Sequence, residues 1–497
     1  MQCISCPSPE KRPRTDGCVL PFAFDEANHP VPLFDDPPLL RACHRLLATK
    51  DFTAKEGEVL IQYLDPVAED RLIVLGVGER RSVSIDGLKA SYARLAAHLA
   101  MKHVATITCL PPVFEAISHR AVLQSILEGL WYGRYVFDDY RSKKADDPHG
   151  IREAVIVTEA PNLLSEVDHD VRAVMTAVAM ARDLVNQNAD QMTPEGFAQA
   201  ARLLATTNLH VTVHEKEWLE HERMNLLLTV GRGASYEPRC VTVEWKGAAN
   251  DSDLTVLIGK GITFDTGGLN LKLENHMGTM KSDMAGAAAV LGTMRAVRDL
   301  RLPLNITAII PLCENSIGSR AYKPGDVYTA RSGKSVEIMS TDAEGRLILA
   351  DAIDYAVTQL RPSRIVDVAT LTGSAEVALG KDISALISNT DSLAFLLERA
   401  AHQAGDPIWR LPLYRPYEPL LDSDIADCKN VATRSGGAIN AALFLHFFVG
   451  DVAWAHIDIA GTAFLKEPFR YYRKGATGVP IRTLIEFFRL LLSKGEE

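Results

Sequence analysis

No apolar run of about 18 residues occurs in the chain, so no membrane-spanning helix is expected. The opening residues, Met1 to Pro13, hold no apolar stretch of the kind a secretory signal needs, and a cytoplasmic location is expected. Basic residues do not dominate: 53 lysines and arginines face 63 aspartates and glutamates, for a net charge of −10. Broad polyanion-binding surfaces are usually basic, so nucleic acid is not an expected partner. Cysteine is thin and scattered, at 3, 6, 18, 43, 109, 240, 313 and 428. A disulfide scaffold would be short and dense in cysteine, so reduced thiols are expected. Cys3 and Cys6 make a CxxC, but no second cysteine or histidine pair stands at zinc spacing. A mobile terminus is expected there rather than metal or redox chemistry. HExxH and GxSxG motifs are absent. Ser332-Gly-Lys-Ser335 has Tyr328 where a phosphate-binding loop needs glycine, and Gly76-Val-Gly-Glu-Arg-Arg81 lacks the third glycine of a dinucleotide fingerprint. No repeat recurs at periods of roughly 20–50 residues.

What remains is an ordinary folding composition, 47% hydrophobic and 23% charged over 497 residues. That length suits two large domains or three of ordinary size. Strand-like and helix-like segments alternate through the first third of the chain. Arg71–Gly78 reads as a buried strand ending in a glycine turn, and Ile85–Lys102 has Leu88, Tyr92, Leu95 and Leu99 at helical spacing. Val155–Thr158 reads as a strand, and Ala145–Gly150 as a polar turn. Asp168 to Asn186 is a long helical pattern that would link two α/β domains, taken as 1–167 and 168–497. Beyond it, Thr193 suits an N-cap and Pro194 the first helical position. Strand candidates follow at His210–Val213, Cys240–Trp245, Thr255–Ile258, Ile306–Pro311 and Arg364–Val368, with helices between several of them. This pattern predicts a mixed or parallel central sheet covered by helices on both faces.

The chemistry concentrates in three places. Val256-Leu-Ile-Gly-Lys-Gly-Ile-Thr-Phe-Asp-Thr-Gly-Gly268 is an apolar strand that presents Lys260 and then Asp265 inside a glycine-rich turn. Ligand-binding groups in open α/β sheets gather at the carboxyl ends of strands. Asp283 then heads an Ala/Gly-rich helix that could pack very closely on a sheet. Asp342, Glu344 and Arg346 alternate in Ser340–Leu347, so an extended backbone would point them one way. Singly, each acid would be a turn, cap or loop residue. Together, four carboxylates would repel one another unless cations neutralised them. Two divalent metals about 3.5–4 Å apart would do so and would activate a bridging water. Oxygen ligation suits manganese or magnesium, with zinc also open, and a lysine could join only as the neutral amine. His276 reads as a loop histidine and His456 as a core histidine, while Asp458 would need a buried partner that the sequence does not name.

The intact block Gly259-Lys-Gly-Ile-Thr-Phe-Asp-Thr-Gly-Gly268, with the octapeptide Ser340-Thr-Asp-Ala-Glu-Gly-Arg-Leu347, resembles the leucyl aminopeptidase family of cytosolic dinuclear-metal exopeptidases. Ser340 replaces the family's asparagine, and Asn186–Pro194 lacks a proline at its usual place. The resemblance runs from about residue 168 to 490 and extends more loosely upstream through Glu128-Gly129 and Gly133–Lys144. It implies that Lys260, Asp265, Asp283 and Glu344 hold a tight metal, and that Asp265, Asp342 and Glu344 hold an exchangeable one. Manganese or zinc is the implied metal. It implies Lys272 as the charged partner of the oxyanion, and Arg346 as holder of a bicarbonate that serves as base for the metal-bridging water. The implied pocket consists of Met280, Thr370, Gly373, Ala460 and Ala463, with Leu371 and Gly373 offering backbone groups to the peptide. Peptides with a free N-terminus, an apolar preference such as leucine, and a homohexamer follow from the same resemblance. Some relatives also bind DNA, a role the acidic balance opposes.

Overall fold

The computed structural model describes residues 1–48, 51–63, 70–142, 150–249 and 253–494. Residues 145–149 of the expected polar turn, and the last two of Gly133–Lys144, lie outside the described residues. The chain divides into two compact units, Met1–Met175 with Pro468–Arg473, and Thr176–Glu467 with Lys474–Glu497.

The first unit holds strands β1 (Gln2–Cys6), β2 (Gly17–Phe24), β3 (Pro30–Pro32), β4 (Val59–Tyr63), β5 (Arg71–Glu79), β6 (Thr106–Cys109) and β7 (Glu153–Val157), of which β2, β4, β5 and β7 are rich in aliphatic and aromatic residues. Their sheet order is β1-β7-β6-β2-β5-β4, with β3 on β2. The strand and helix expected around 71–102 are both present, and Ser84 caps the helix Ile85–Ala100 by accepting from the Gly87 amide. The mobile terminus is corrected. Cys3 and Cys6 lie in β1, which pairs in parallel with β7 from Gln2↔Glu153 to Cys6↔Val157. Backbone pairing orders this segment, a term that a polar, half-buried sequence hides. All eight cysteines are free thiols.

The second unit holds β8 (Leu209–His214), β9 (Arg239–Lys246), β10 (Leu254–Gly259), β11 (Gly261–Asp265), β12 (Asn305–Asn315), β13 (Val327–Thr329), β14 (Ser335–Glu337), β15 (Arg364–Ala369), β16 (Ser384–Ser388), β17 (Ile408–Arg410), β18 (Cys428–Lys429) and β19 (Ala453–Asp458). The main sheet runs β17-β16-β19-β15-β10-β12-β9-β8, with β11 also on β12, while β13, β14 and β18 form a small separate sheet. It is mixed. β12, β10, β15 and β19 are mutually parallel, whereas β9 runs against β12 and β8, and β16 runs against β19 but parallel to β17. Helices Glu344–Tyr355 and Gly437–Val449 bury Leu347, Ile353 and Phe444 with Val256, Ile258, Ile365 and Trp454 in one core. The helix expected from Asp168 begins instead at Pro161 and runs to Asn186. Proline suits the first helical turn, so the pattern starts earlier than its apolar spacing shows. Thr193 caps Pro194–Arg202 as expected, accepting from the Gly196 amide at 3.1 Å. Among the described residues no helix is long and apolar enough to cross a membrane.

The Ala/Gly-rich helix Ala285–Leu300 packs directly on the strand ends, as its composition predicts. A Cβ on Gly286 would stand 2.1 Å from the Val368 carbonyl oxygen. Gly286→Ala should therefore push this helix off β15 and lower stability by about 1–3 kcal/mol, the usual cost of overpacking. The midpoint of denaturant unfolding measures this. An unchanged midpoint would mean that the contact is not tight in solution.

Candidate metal centre

The carboxyl ends of four strands meet at one place, as open-sheet topology predicts. Lys260 follows β10, Asp265 closes β11, Thr370 follows β15, and Asp458 closes β19. Lys260 is only 3% exposed. Its Nζ stands 2.8 Å from Asp283 Oδ1 and 3.1 Å from Glu344 Oε1, and donates to the Thr370 carbonyl at 2.8 Å. The lysine stem occupies the space where a side chain on Gly345 would be, since a Cβ there would meet Lys260 Cε at 2.3 Å. The glycine between Glu344 and Arg346 thus makes room for the ammonium.

Asp265 is oriented by its neighbours. Its Oδ1 accepts from the Gly267 amide and from Asn315 Nδ2, each at 2.8 Å. That leaves Oδ2 to face Lys272 Nζ at 2.7 Å, and Lys272 also reaches Asp342 Oδ1 at 2.6 Å. Asp283 ends the short 3-10 turn Met280–Ser282, and its Oδ1 accepts from the Thr370 hydroxyl at 2.7 Å. Asp265, Asp342 and Glu344 each offer one oxygen, all within 4.8 Å of one another. All five residues expected to hold metal, together with Lys272, are therefore joined by these contacts.

The extended arrangement expected for Asp342, Glu344 and Arg346 is corrected. Glu344 is the first residue of the helix Glu344–Tyr355, and Arg346 lies within it. An acid in a first helical turn meets the positive end of the helix dipole, which favours helix there over strand. Arg346 Nη1 donates to the Asn430 carbonyl at 2.7 Å. Ser340 Oγ accepts from the Asp342 amide at 3.2 Å, and Asn430 Oδ1 takes the Met339 amide at 2.8 Å, so the loop is held without the family's asparagine.

Charge is the unsettled quantity in this space. Burial, then Glu344 and Asp283, push the Asp265 acid up to about 8. Burial raises Asp283 to about 6 against the pull of Lys260. Asp342 is also raised by burial. Burial would raise Glu344 too, but Lys260 and Lys272 hold it below its usual range. Burial would lower both lysines, yet the surrounding carboxylates outweigh it and keep both ammonium groups above the usual range. Burial brings Arg346 down to about 10. Two buried carboxylate oxygens, Asp283 Oδ2 and Glu344 Oε2, have no partner, and neither does Arg346 Nε.

The remaining expected residues fall into two groups. Thr370, Leu371 and Ala460 are half-buried; Leu371 and Ala460 share a network, since Asp458 Oδ1 accepts from both their amides, while Thr370 bonds to Lys260 and Asp283. Gly373 is exposed, and a side chain there would meet nothing within 4 Å. Met280 is half-buried on the turn before Asp283, and Ala463 is buried, its carbonyl taking the Thr477 amide and hydroxyl. The Ala463 amide donates to the Ile459 carbonyl beside Asp458 at 2.9 Å, and among the described residues no hydrogen bond joins Met280 or Ala463 to the Asp458 carboxylate itself. His276 is exposed on the short helix Glu274–Met277. His456 is a core residue, its Nδ1 2.6 Å from Asp367 Oδ1. Sequence reasoning missed Asn315 and Asn430. A polar residue closing the long apolar run of β12 at the carboxyl edge was the available signal for Asn315.

The chain is similar to known proteins along nearly its whole length. The model of the cytosol aminopeptidase family, catalytic domain, matches residues 179–485, and that of the family's N-terminal domain matches 40–144. A probable cytosol aminopeptidase of Protochlamydia amoebophila is 43% identical over 491 residues, covering 97% of each chain. One from Chlamydia muridarum is 40% identical, covering 98% of each. Among solved structures, the bottromycin maturation enzyme BotP superposes with a TM-score of 0.85 at 33% identity, covering 96% of this chain and 100% of that one. The same enzyme in complex with Mn gives 0.84 at 32%, covering 96% and 99%. With both domain models matched and full-length relatives above 40% identity or at it, this chain belongs to the cytosol aminopeptidase family, a family of peptide hydrolases.

Proposed function

We propose that the chain is a metal-dependent aminopeptidase that releases N-terminal residues, leucine and other apolar ones preferentially, in the cytoplasm. The observation that carries this is the pairing of four clustered carboxylates with only two lysines, leaving Asp283 Oδ2 and Glu344 Oε2 buried and unpartnered. Such a donor set fits divalent cations, and the solved BotP complex with Mn makes manganese a natural choice beside zinc. Lys260, Asp265, Asp283 and Glu344 would hold one ion, and Asp265, Asp342 and Glu344 the other. Bound there, two ions would supply Lewis-acid polarisation and an activated water.

The chain's own residues would do the rest. Lys260 would join as the neutral amine, because added cations replace the charge its proton now supplies. Lys272 would remain an ammonium and stabilise the oxyanion as it forms. Arg346 has a buried Nε without a partner, which suits an anion such as bicarbonate as proton acceptor. Asp283 would meet the substrate's free α-amine and so confine cleavage to the terminus. Met280, Thr370, Gly373, Ala460 and Ala463 would form the side-chain pocket, with Leu371 and Gly373 pairing to the peptide backbone. A homohexamer is the assembly this family membership favours.

Glu344→Ala should cut kcat by about 10³ or more, the scale of removing a major electrostatic element from a hydrolytic site. A folded variant keeping more than about a tenth of wild-type kcat would defeat the assignment.

The two lysines should separate in a paired experiment. Lys260→Met should lose bound metal, whereas Lys272→Met should keep it and lose about 10²–10³ in kcat with a smaller change in KM. Metal analysis beside steady-state kinetics reads both. Metal loss in Lys272→Met alone would reverse their roles.

Leucine and methionine amides should be cleaved faster than aspartate or lysine amides. Burying a leucine side chain against Met280, Ala460 and Ala463 contributes about 1.5–3 kcal/mol, while a charge would be desolvated without a partner. Equal kcat/KM across the four substrates, or hydrolysis of N-acetylated peptides, would refute the pocket.

A further inference from the structure

We propose that Asp458 is a positioning residue that shapes the substrate pocket by pinning the Leu371–Gly373 turn to the end of β19. The inference rests on the pocket assignment above, and none of the substitutions that test it alters a proposed metal ligand.

Asp458 is 1% exposed, and a carboxylate so deeply buried needs donors. It has three. Oδ1 accepts from the Leu371 amide at 3.0 Å and the Ala460 amide at 3.1 Å, and Oδ2 accepts from the Thr372 hydroxyl at 2.8 Å. The Thr372 hydroxyl in turn accepts from the Ala375 amide at 3.1 Å and caps the helix Gly373–Leu379. One side chain therefore fixes a pocket residue on each side, Leu371 and Ala460, and the starting point of the helix that carries Gly373. Hydrogen bonds to an ionised acceptor are stronger than neutral ones.

The same turn has a second, independent anchor. The Thr370 carbonyl accepts from Lys260 and the Thr370 hydroxyl donates to Asp283. Removing Asp458 leaves that anchor in place, so the metal side of the turn stays put. Leu371, Thr372 and Ala460 lose their tether, and with them the start of the helix that carries Gly373, all of which face substrate rather than metal in the proposed site. The effect should appear in KM.

Acceptor geometry carries most of the role, and the charge adds strength to it. In Asp458→Asn the amide oxygen can keep both backbone donors, and the amide nitrogen can donate to the Thr372 hydroxyl oxygen, which has a lone pair to spare. The conservative variant should therefore rescue what alanine destroys.

Kinetics on leucine p-nitroanilide, with metal analysis, decides the matter for wild type, Asp458→Ala, Asp458→Asn and Thr372→Val. Asp458→Ala should raise KM about tenfold or more, the scale of one lost charge-assisted hydrogen bond, with a smaller fall in kcat and unchanged metal content. Asp458→Asn should bring KM back to within about threefold of wild type, and Thr372→Val should fall between them. An unchanged KM in Asp458→Ala, loss of metal from it, or an Asp458→Asn variant as impaired as alanine overturns the inference. Should Asp458→Ala fail to fold, an unchanged KM in Thr372→Val overturns it. A wild-type enzyme without leucine amide hydrolysis would instead overturn the aminopeptidase function proposed above.

Discussion

Like charges held together in a largely buried space, open to water at Asp342, set the terms for the whole catalytic unit. Asp265, Asp283, Asp342 and Glu344 would separate if they were free to move, and two ammonium groups offset only part of their repulsion. The carboxylates stay because rigid elements hold their backbones. Asp265 closes a strand, Glu344 opens a helix, and Asp283 ends a turn packed against the Thr370 segment. Asn315 and Gly267 occupy one oxygen of Asp265 and so determine which oxygen faces the cluster. The sheet and its apolar core thus supply the stability that the site consumes, a common division between scaffold and function.

Much of this was legible in advance, and the unread part has a physical reason. The strands β5, β10, β12 and β15 were readable because each is a mainly apolar run buried on both faces, and β9 because apolar and polar residues alternate along it. β1 was not, since its polar, half-buried residues resemble a loose end until β7 pairs with them. The acids themselves stood out because carboxylates and lysines rarely gather beside glycine without cause. Their partners did not. Asn315 reaches Asp265 across 50 positions, and Asp458 reaches Leu371 across 87. Such pairings follow from strand order, which local periodicity does not encode.

Strand order also explains why the helix start at Glu344 was misread. Alternation in Asp342-Ala-Glu-Gly-Arg346 is compatible with a strand when the segment is considered alone. In the fold, the segment leaves the small sheet at β14 and must turn to bury Leu347 and Ile353 against β10 and β15. Tertiary burial overrode the local pattern there.

The position of β19 has a consequence for how the protein is made. It enters the sheet between β15 and β16, so β16 and β17 have no place in the main sheet until β19 is available. Chains grow from the N-terminus at about 5–20 residues per second, and domains close as their last strands emerge. A chain on the ribosome that stops short of Ala453 already carries Lys260, Asp265, Asp283, Asp342 and Glu344. It lacks Ala460, the carboxylate that tethers Leu371, and the strand that bridges the two halves of the sheet. A chain cut short there can neither join the two halves of the main sheet nor give the Leu371 amide its buried acceptor, so the sheet edge that gathers these residues is finished only when synthesis is nearly complete.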